Sequence, residues 1–157
     1  MEVQIHKLEE YHIPFVAKVY EENLSQLHGV FIPLSEWLDC FINYPDPDES
    51  NYIVYLNGKE AAWLKINGLS GEVINISMLV VAREYQRMGI GSLILDFAEN
   101  FAKANGKTDV YIRTTIDNIP ARNCYEKHGY AQDKYIRYTV GDGIEREGVL
   151  FRKNIYL

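Results

Sequence analysis

Two cysteines, Cys40 and Cys124, are all the thiols in this chain of 157 residues. They make neither a disulfide framework nor a four-ligand zinc site, so a reducing, cytoplasmic setting is the default expectation. No apolar run approaches the ~20 residues of a membrane-spanning helix, and the opening "MEVQIHKLEEYHIPF" is charged throughout, unlike a secretory leader. Basic residues are in deficit: 16 Lys and Arg against 22 Asp and Glu leave a net charge of −6. That balance runs against a nucleic-acid partner, whose phosphates need a basic surface. It suits a cationic acceptor, though many soluble domains are equally acidic. His6, His12 and His28 have no ligand-like spacing, so no metal is expected. Repeats, low-complexity tracts and Ser/Gly/Pro linkers are missing too, which points to a single domain over residues 1–157. With 47% hydrophobic residues, it has enough apolar side chain for a core.

What is present reads as a continuous α/β unit. "VQIHKL" (3–8) alternates as a strand, and apolar residues from Ile13 to about His28 recur at helical spacing. A short helix over "SEWLDCFINY" is predicted with Ser35 as its N-cap, ending at the breaker "PDPDES". "NYIVYLNGKEAAWLKI" predicts a hairpin about Asn57-Gly58, the pair favoured in tight primed turns. "EVINISMLVV" (72–81) is a long apolar strand, and "DVYIRTT" (109–115) another. Between them lies an amphipathic helix with Gly106 at its end. "DNIPARNCYEKHG" predicts a helix with Pro120 in its first turn and Gly129 at its end. "DKYIRYTV" and "EGVLFRKNI" pair across Gly141-Asp142-Gly143.

The stretch "REYQRMGIGSLILDFAENFAKANG" (83–106) places Gly89 and Gly91 at a helix entrance, where each costs about 1 kcal/mol relative to alanine. Unpaired N–H groups and the helix dipole make such an end a site for anions. A glycine there lets a phosphate lie against bare backbone, with Ser92 adding a hydroxyl and Arg83 and Arg87 adding charge. A tight strand-to-helix turn would use the same glycines. The Walker type of phosphate loop is ruled out, because no lysine stands between Arg83 and Lys103. A dinucleotide fingerprint needs glycine or alanine at position 94, which is Ile94.

Gln86-Arg87-Met88-Gly89-Ile90-Gly91 does fit Gln-x-x-Gly-x-Gly. With the preceding strand it resembles the acetyl-CoA-binding motif of the GCN5-related N-acetyltransferase superfamily. A second block, "NIPARNCYEKHGY" (118–130), resembles the family's Asn-x-x-Ala-x-x-x-Tyr-x-Lys-x-Gly-Phe/Tyr segment, with Asn118, Ala121, Tyr125, Lys127, Gly129 and Tyr130 in register. The resemblance implies an α/β (α+β) fold: a mixed, mostly antiparallel sheet of about seven strands with about four helices. Its fourth and fifth strands run parallel and splay apart to admit the cofactor arm. It implies acetyl-CoA as co-substrate, with its pyrophosphate on the backbone of Gln86, Arg87, Met88, Gly89, Ile90, Gly91 and Ser92. Main-chain groups of Leu79, Val80 and Val81 would pair with the pantetheine. Asn118, Ala121 and Lys127 complete the cofactor set, and Asn118 would hydrogen-bond the arm where the strands part.

The implied reaction moves an acetyl group to an amine of a small molecule or peptide. A lysine-like amine with a pKa of about 10.4 is neutral in only ~1 in 10³ molecules near pH 7, a cost of roughly 4–5 kcal/mol. A general base, often through water, helps remove that proton, and the departing thiolate needs another. Tyr125 occupies the family's general-acid position. The base is where the chain departs from the histone-modifying branch: eleven residues before the glycine motif stands Asn75, not glutamate. Glu72 is the nearest carboxylate, and a relay through ordered water is the alternative to it.

Cys124 and His128, four apart, have the spacing of a thiolate pair, but packing accounts for the cysteine more simply. Phe31, Trp37, Phe41 and Tyr44 could line an acceptor pocket or belong to the core, and Glu21, Glu22, Glu36 and Asp39 could attract a cationic acceptor. A homodimer through the aromatic terminal hairpin would match the family's habit. Two other classes stay open: a catalytically silent acyl-CoA-binding module on the same fold, and a nucleotide-phosphate enzyme using the glycine loop.

Overall fold

Asn57 and Gly58 both take positive φ, +49° and +79°, as a primed two-residue turn requires, and so bind two strands into a hairpin. These are β2 (Glu49–Leu56) and β3 (Lys59–Asn67). The rest of the chain, described here from a computed structural model over residues 2–156, builds one sheet around that hairpin. β1 (Val3–Lys7) precedes it, and β4 (Val73–Val81), β5 (Asp109–Thr115), β6 (Ala131–Thr139) and β7 (Glu145–Asn154) follow. The seven strands run in the order β1-β2-β3-β4-β5-β7-β6. All neighbours are antiparallel except β4 and β5. The helices are α1 (Ile13–Glu22), α2 (Leu24–Leu27), α3 (Leu34–Leu38), α4 (Ile90–Ala104) and α5 (Ile119–Lys127). This is the mixed sheet and element order expected.

Alternation along the central strands divides the core between the two sheet faces. On one face Leu64, Ile66, Ile74, Val110 and Phe151 pack against Ile90, Ile94, Leu95 and Ala98 of α4. On the other, Ile53, Trp63 and Val80 meet Val16 and Val19 of α1, with Trp37 of α3. The last turn of α4 is closed by Gly106 at φ +71°, with Gly106 N–H bonding to Lys103 O and Lys107 N–H to Ala102 O, a Schellman closure.

Two local expectations fail. The helix predicted from Ile13 to about His28 is broken at Asn23 (φ −109°, ψ 12°). The Asn23 amide donates to Val19 O at 2.9 Å and, across to β4, to Val81 O at 3.2 Å. Because Leu24 and Leu27 continue the apolar stripe, periodicity alone does not register this break. Ser35 is not an N-cap: the cap lies two residues earlier at Pro33, whose carbonyl accepts from Glu36 and Trp37. It then loosens into a π-helical turn, Asp39–Asn43.

The pairing of β4 with β5 sets up the site. It runs from Val73↔Asp109 to Ile76↔Ile112 and stops. Beyond it, β4 stays paired to β3 as far as Val81, and β5 to β7 as far as Thr115. The facing edges of Ser77–Val81 and Arg113–Thr115 have no strand partner. Among the described residues no helix is long and apolar enough to cross a membrane.

Candidate active site

Above the splay, the chain leaves β4, makes a short turn at Arg83–Tyr85 and enters α4 through Gly89, the N-cap, in the left-handed conformation at φ +79°. Arg87 is also left-handed, at φ +66°. Alternating backbone of this kind turns successive N–H groups into one concavity, a nest for anions. Six consecutive amides, Arg87 to Ser92, find no acceptor among the described residues; the first helical bond is Leu93 N–H to Gly89 O. The Gln86 amide is not among them, since it donates to Arg83 O. Gly91 has no positive φ to explain it, and a Cβ there would meet only Cys124 Sγ, at 4.0 Å. Neither backbone strain nor internal packing requires glycine at 91, so the bare main chain faces outward, into a groove.

That groove, of about 440 Å³, is lined by Leu79, Val80 and Val81 on β4, by Arg87 and Gly89–Ser92, and by Asn118, Ala121 and Tyr125 of the second block. Met88 and Lys127, expected in the set, do not line it: Met88 is exposed in the loop, and Lys127 is exposed in the last turn of α5. Gln86 contributes its side chain rather than its amide. Its Nε2 donates to Asn23 Oδ1 at 2.9 Å and to Val81 O at 3.1 Å, latching the loop to the break after α1. The Val81 carbonyl thus receives two side-chain donors, and Val80 pairs with Trp63 of β3, which leaves Leu79 to offer free main-chain groups to the open edge. Arg83 turns away, bonding Glu22 through both its amide and its guanidinium.

A second cavity, of about 290 Å³, opens from the other side of the splay between Ser77–Leu79 and Ile112–Thr115. Leu79, Asn118 and Tyr125 line both cavities and form their junction. Asn118 caps α5 by accepting the Ala121 N–H at 3.3 Å, which leaves its own amide N–H groups for the cavities. Tyr125 sits on α5 with its ring edge-on to Phe151 at 5.5 Å. Among the described residues no group hydrogen-bonds its hydroxyl. Burial pushes the Tyr125 phenol well above the ordinary tyrosine range, with Cys124 and Tyr138 adding smaller pushes. The hydroxyl therefore keeps its proton through neutral pH.

Other expected residues lie elsewhere. Asn75 is exposed on β4 inside the paired half, opposite Asn67 and Tyr111, and lines neither cavity. Glu72 is also exposed, before β4, roughly 16 Å from Ser77 at ~3.3 Å per residue. Among the described residues no Asp or Glu lines either cavity. Cys124 faces the groove, its thiol pushed up by burial, while His128 points to α4, 2.9 Å from Asp96 and 3.3 Å from Glu99; the two form no dyad. Trp37 and Phe41 pack with Trp63 in the core, whereas Phe31 and Tyr44 are exposed, and none of these four lines either cavity at the splay. Asn23, Arg113 and Tyr138 line the cavities without having been singled out. For Asn23 a signal existed: it is a polar residue on the apolar stripe of a predicted helix.

Comparison with known proteins now fits onto this geometry. Residues 16–130 match the acetyltransferase (GNAT) family. The chain belongs to that family. Over 120 residues it is 32% identical to the GCN5-related N-acetyltransferase 7, chloroplastic, of Arabidopsis thaliana, covering 70% of this chain and 42% of that protein. Over 74 residues it is 32% identical to the N-alpha-acetyltransferase of Sulfurisphaera tokodaii, covering 46% of this chain and 42% of that protein. The chain thus spans less than half the length of these relatives. Among solved structures, a spermidine N-acetyltransferase from Vibrio cholerae in complex with CoA and spermine aligns at TM-score 0.86 and 13% identity, over 98% of this chain and 96% of that one. The ribosomal-protein-S18-alanine N-acetyltransferase from Escherichia coli aligns at TM-score 0.76 and 19% identity, over 98% and 94%. At these identities the likeness is one of fold. The groove at the splay and the nest at the start of α4 belong to the segment that carries the GNAT match.

Proposed function

We propose that this GNAT-family chain is an acetyl-CoA-dependent N-acetyltransferase in which donor and acceptor meet at Leu79, Asn118 and Tyr125. The observation that carries the reading is that one groove joins six unpaired amides to an unpaired strand edge and ends at a second cavity. The donor set suits a CoA thioester: amides and Arg87 for the pyrophosphate, the open-edge main-chain groups of Leu79 for the pantetheine amides, and an Asn118 N–H beside them. When bound, acetyl-CoA supplies a thioester whose C–S bond breaks as the acceptor nitrogen bonds to its carbonyl carbon.

The residues then handle the protons. Tyr125 gives its phenolic proton to the leaving sulfur and recovers one from solvent. Burial that raises the phenol raises a thiolate in the same enclosure as well, so the two stay matched. The proton released by the amine passes to water in the second cavity, since no carboxylate lines it. Glu72 and Asn75 are absent from the described lining of that cavity, which supports the relay through water. The test is release of CoA thiol from acetyl-CoA across a panel of amines, beside a direct measurement of acetyl-CoA affinity. Turnover establishes transfer. Affinity without turnover for any amine would make the chain a silent acyl-CoA-binding module, and ATP affinity without CoA affinity would make it a nucleotide enzyme.

A further inference from the structure

The second cavity has a sign opposite to that of the chain. The net charge is −6, yet among the described residues no Asp or Glu lines this cavity, and the one Lys or Arg that does is Arg113 on the splayed half of β5. Arg113 is held flat, its guanidinium carbon 4.3 Å from the centre of the Tyr138 ring on β6. Among the described residues it has no ion-pair partner. Most charged groups around it are already matched; Asp117, just past β5 and near enough to act on Tyr138 and Arg146, does not line the cavity and has no ion pair among the described residues. Arg146 grips Asp142 through two bonds of 2.6 and 2.8 Å, and Arg137 takes Glu145 and Glu147 at 3.1 and 3.3 Å. The acidic residues suited to a cation are elsewhere: Glu22 holds Arg83 and Asp39 holds Asn43. An arginine stacked on an aromatic ring with its fork free is preorganised for a planar oxyanion, above all a carboxylate.

We propose that the acceptor is a small amine bearing a carboxylate within a few bonds of its nitrogen, an amino acid or a close analogue. In this arrangement Arg113 holds the carboxylate while the amine reaches the junction at Tyr125 and Asn118. This rests on the transferase reading above and names its substrate class. A volume of about 290 Å³, at the small end of ligand clefts, agrees with a molecule of that size. A polyamine fits poorly, because its contacts here put a second cation near Arg113 in a cavity whose described lining includes no carboxylate. Arg113 is a specificity residue, not a catalytic one.

The deciding comparison is between free amino acids and their carboxamides, with spermidine as a third arm, scored by CoA thiol release. A carboxamide's less basic amine is neutral in a larger fraction of molecules, so a preference for the carboxylate runs against intrinsic reactivity. The wild type should favour the carboxylates by about 10- to 100-fold in kcat/KM, as expected for a charge-assisted pair. Arg113→Ala should erase that preference, chiefly through KM, and Arg113→Lys should restore part of it. Arg113→Glu should shift preference toward spermidine, and acetyl-CoA affinity should stay the same in all three. Preference for carboxamides or spermidine in the wild type, or an unchanged ratio in Arg113→Ala, overturns the inference while leaving the transferase reading intact. If acetyl-CoA fails to bind, that reading falls instead. The inference is then decided by calorimetry of the same amino acids and carboxamides: carboxylate-selective binding abolished in Arg113→Ala upholds it, and its lack overturns it.

Discussion

Strands β4 and β5 have two halves with different lives. From Val73 to Ile76 and Asp109 to Ile112 they are hydrogen-bonded neighbours whose inward residues Ile74 and Val110 are fully buried. From Ser77 and Arg113 onward the same strands, without a change in their β-rich character, leave their facing edges open. The closed half is buried in the core, and the open half borders the two cavities, at whose junction Tyr125 of α5 stands. Asn75 belongs to the closed half. Counted along the chain it stands where a base belongs, yet it is paired on both sides. Strand position is a poor guide to chemistry unless one knows where the strands part.

The comparison can be broken by substitutions, taken here from the largest expected effect to the smallest. Tyr125→Phe should lower kcat about 10²- to 10⁴-fold, or roughly 3–5 kcal/mol in the barrier, with acetyl-CoA affinity kept. Its unfolding midpoint should barely move, because the hydroxyl has no partner in the protein. Retained turnover would remove Tyr125 from the chemistry. Ile74→Ala, in the closed half, should reverse the pattern, costing about 2–5 kcal/mol in chemical denaturation through a core cavity. If it instead abolished turnover at full stability, the division between the halves would fail.

Gly91→Ala separates the two properties within one residue. Helix propensity predicts a gain of up to about 1 kcal/mol in stability, while a methyl group between backbone and ligand should weaken acetyl-CoA by about tenfold. Calorimetry and a denaturation curve on the same sample check both. Unchanged affinity would return the glycine to the role of turn residue. The smallest effect belongs to Asn75→Ala and Glu72→Gln, each expected to change kcat less than about twofold, in keeping with exposed positions away from the site. A tenfold loss in either would put proton transfer in the closed half after all. The pH profile sharpens the same point: with its phenol held up by burial, Tyr125 should impose no falling limb below about pH 10, and rate should rise with amine deprotonation.

Much of this was legible along the chain. Periodicity located the strands and the long helix, Asn57-Gly58 located the hairpin, and the two motif blocks identified the family and led to Gly91, Asn118 and Tyr125. Each signal is local: a repeat of 2 or 3.6, a turn pair, a spacing within thirteen residues. Three site features were not local and went unread. Gln86 was expected to offer its amide, but its side chain latches the loop to Asn23, 63 residues away. Arg83 was expected near the anion but is held by Glu22, 61 residues away. Arg113 had no sequence signal of its own: what sets it apart is Tyr138 on another strand, 25 residues away, beneath its guanidinium.

By itself the sequence determined the order of elements, the bare backbone at the entrance of α4 and the membership of a family, because short-range sterics and hydrogen bonding decide those. Only the tertiary structure decided that β4 and β5 part after Ile76 and Ile112, that the groove and the second cavity meet at Leu79, Asn118 and Tyr125, and that an acidic chain presents an unpaired arginine to the second cavity. Which groups face one another across a gap, and which charges are already matched, depends on distances between residues far apart in the chain. No spacing along the chain encodes those distances.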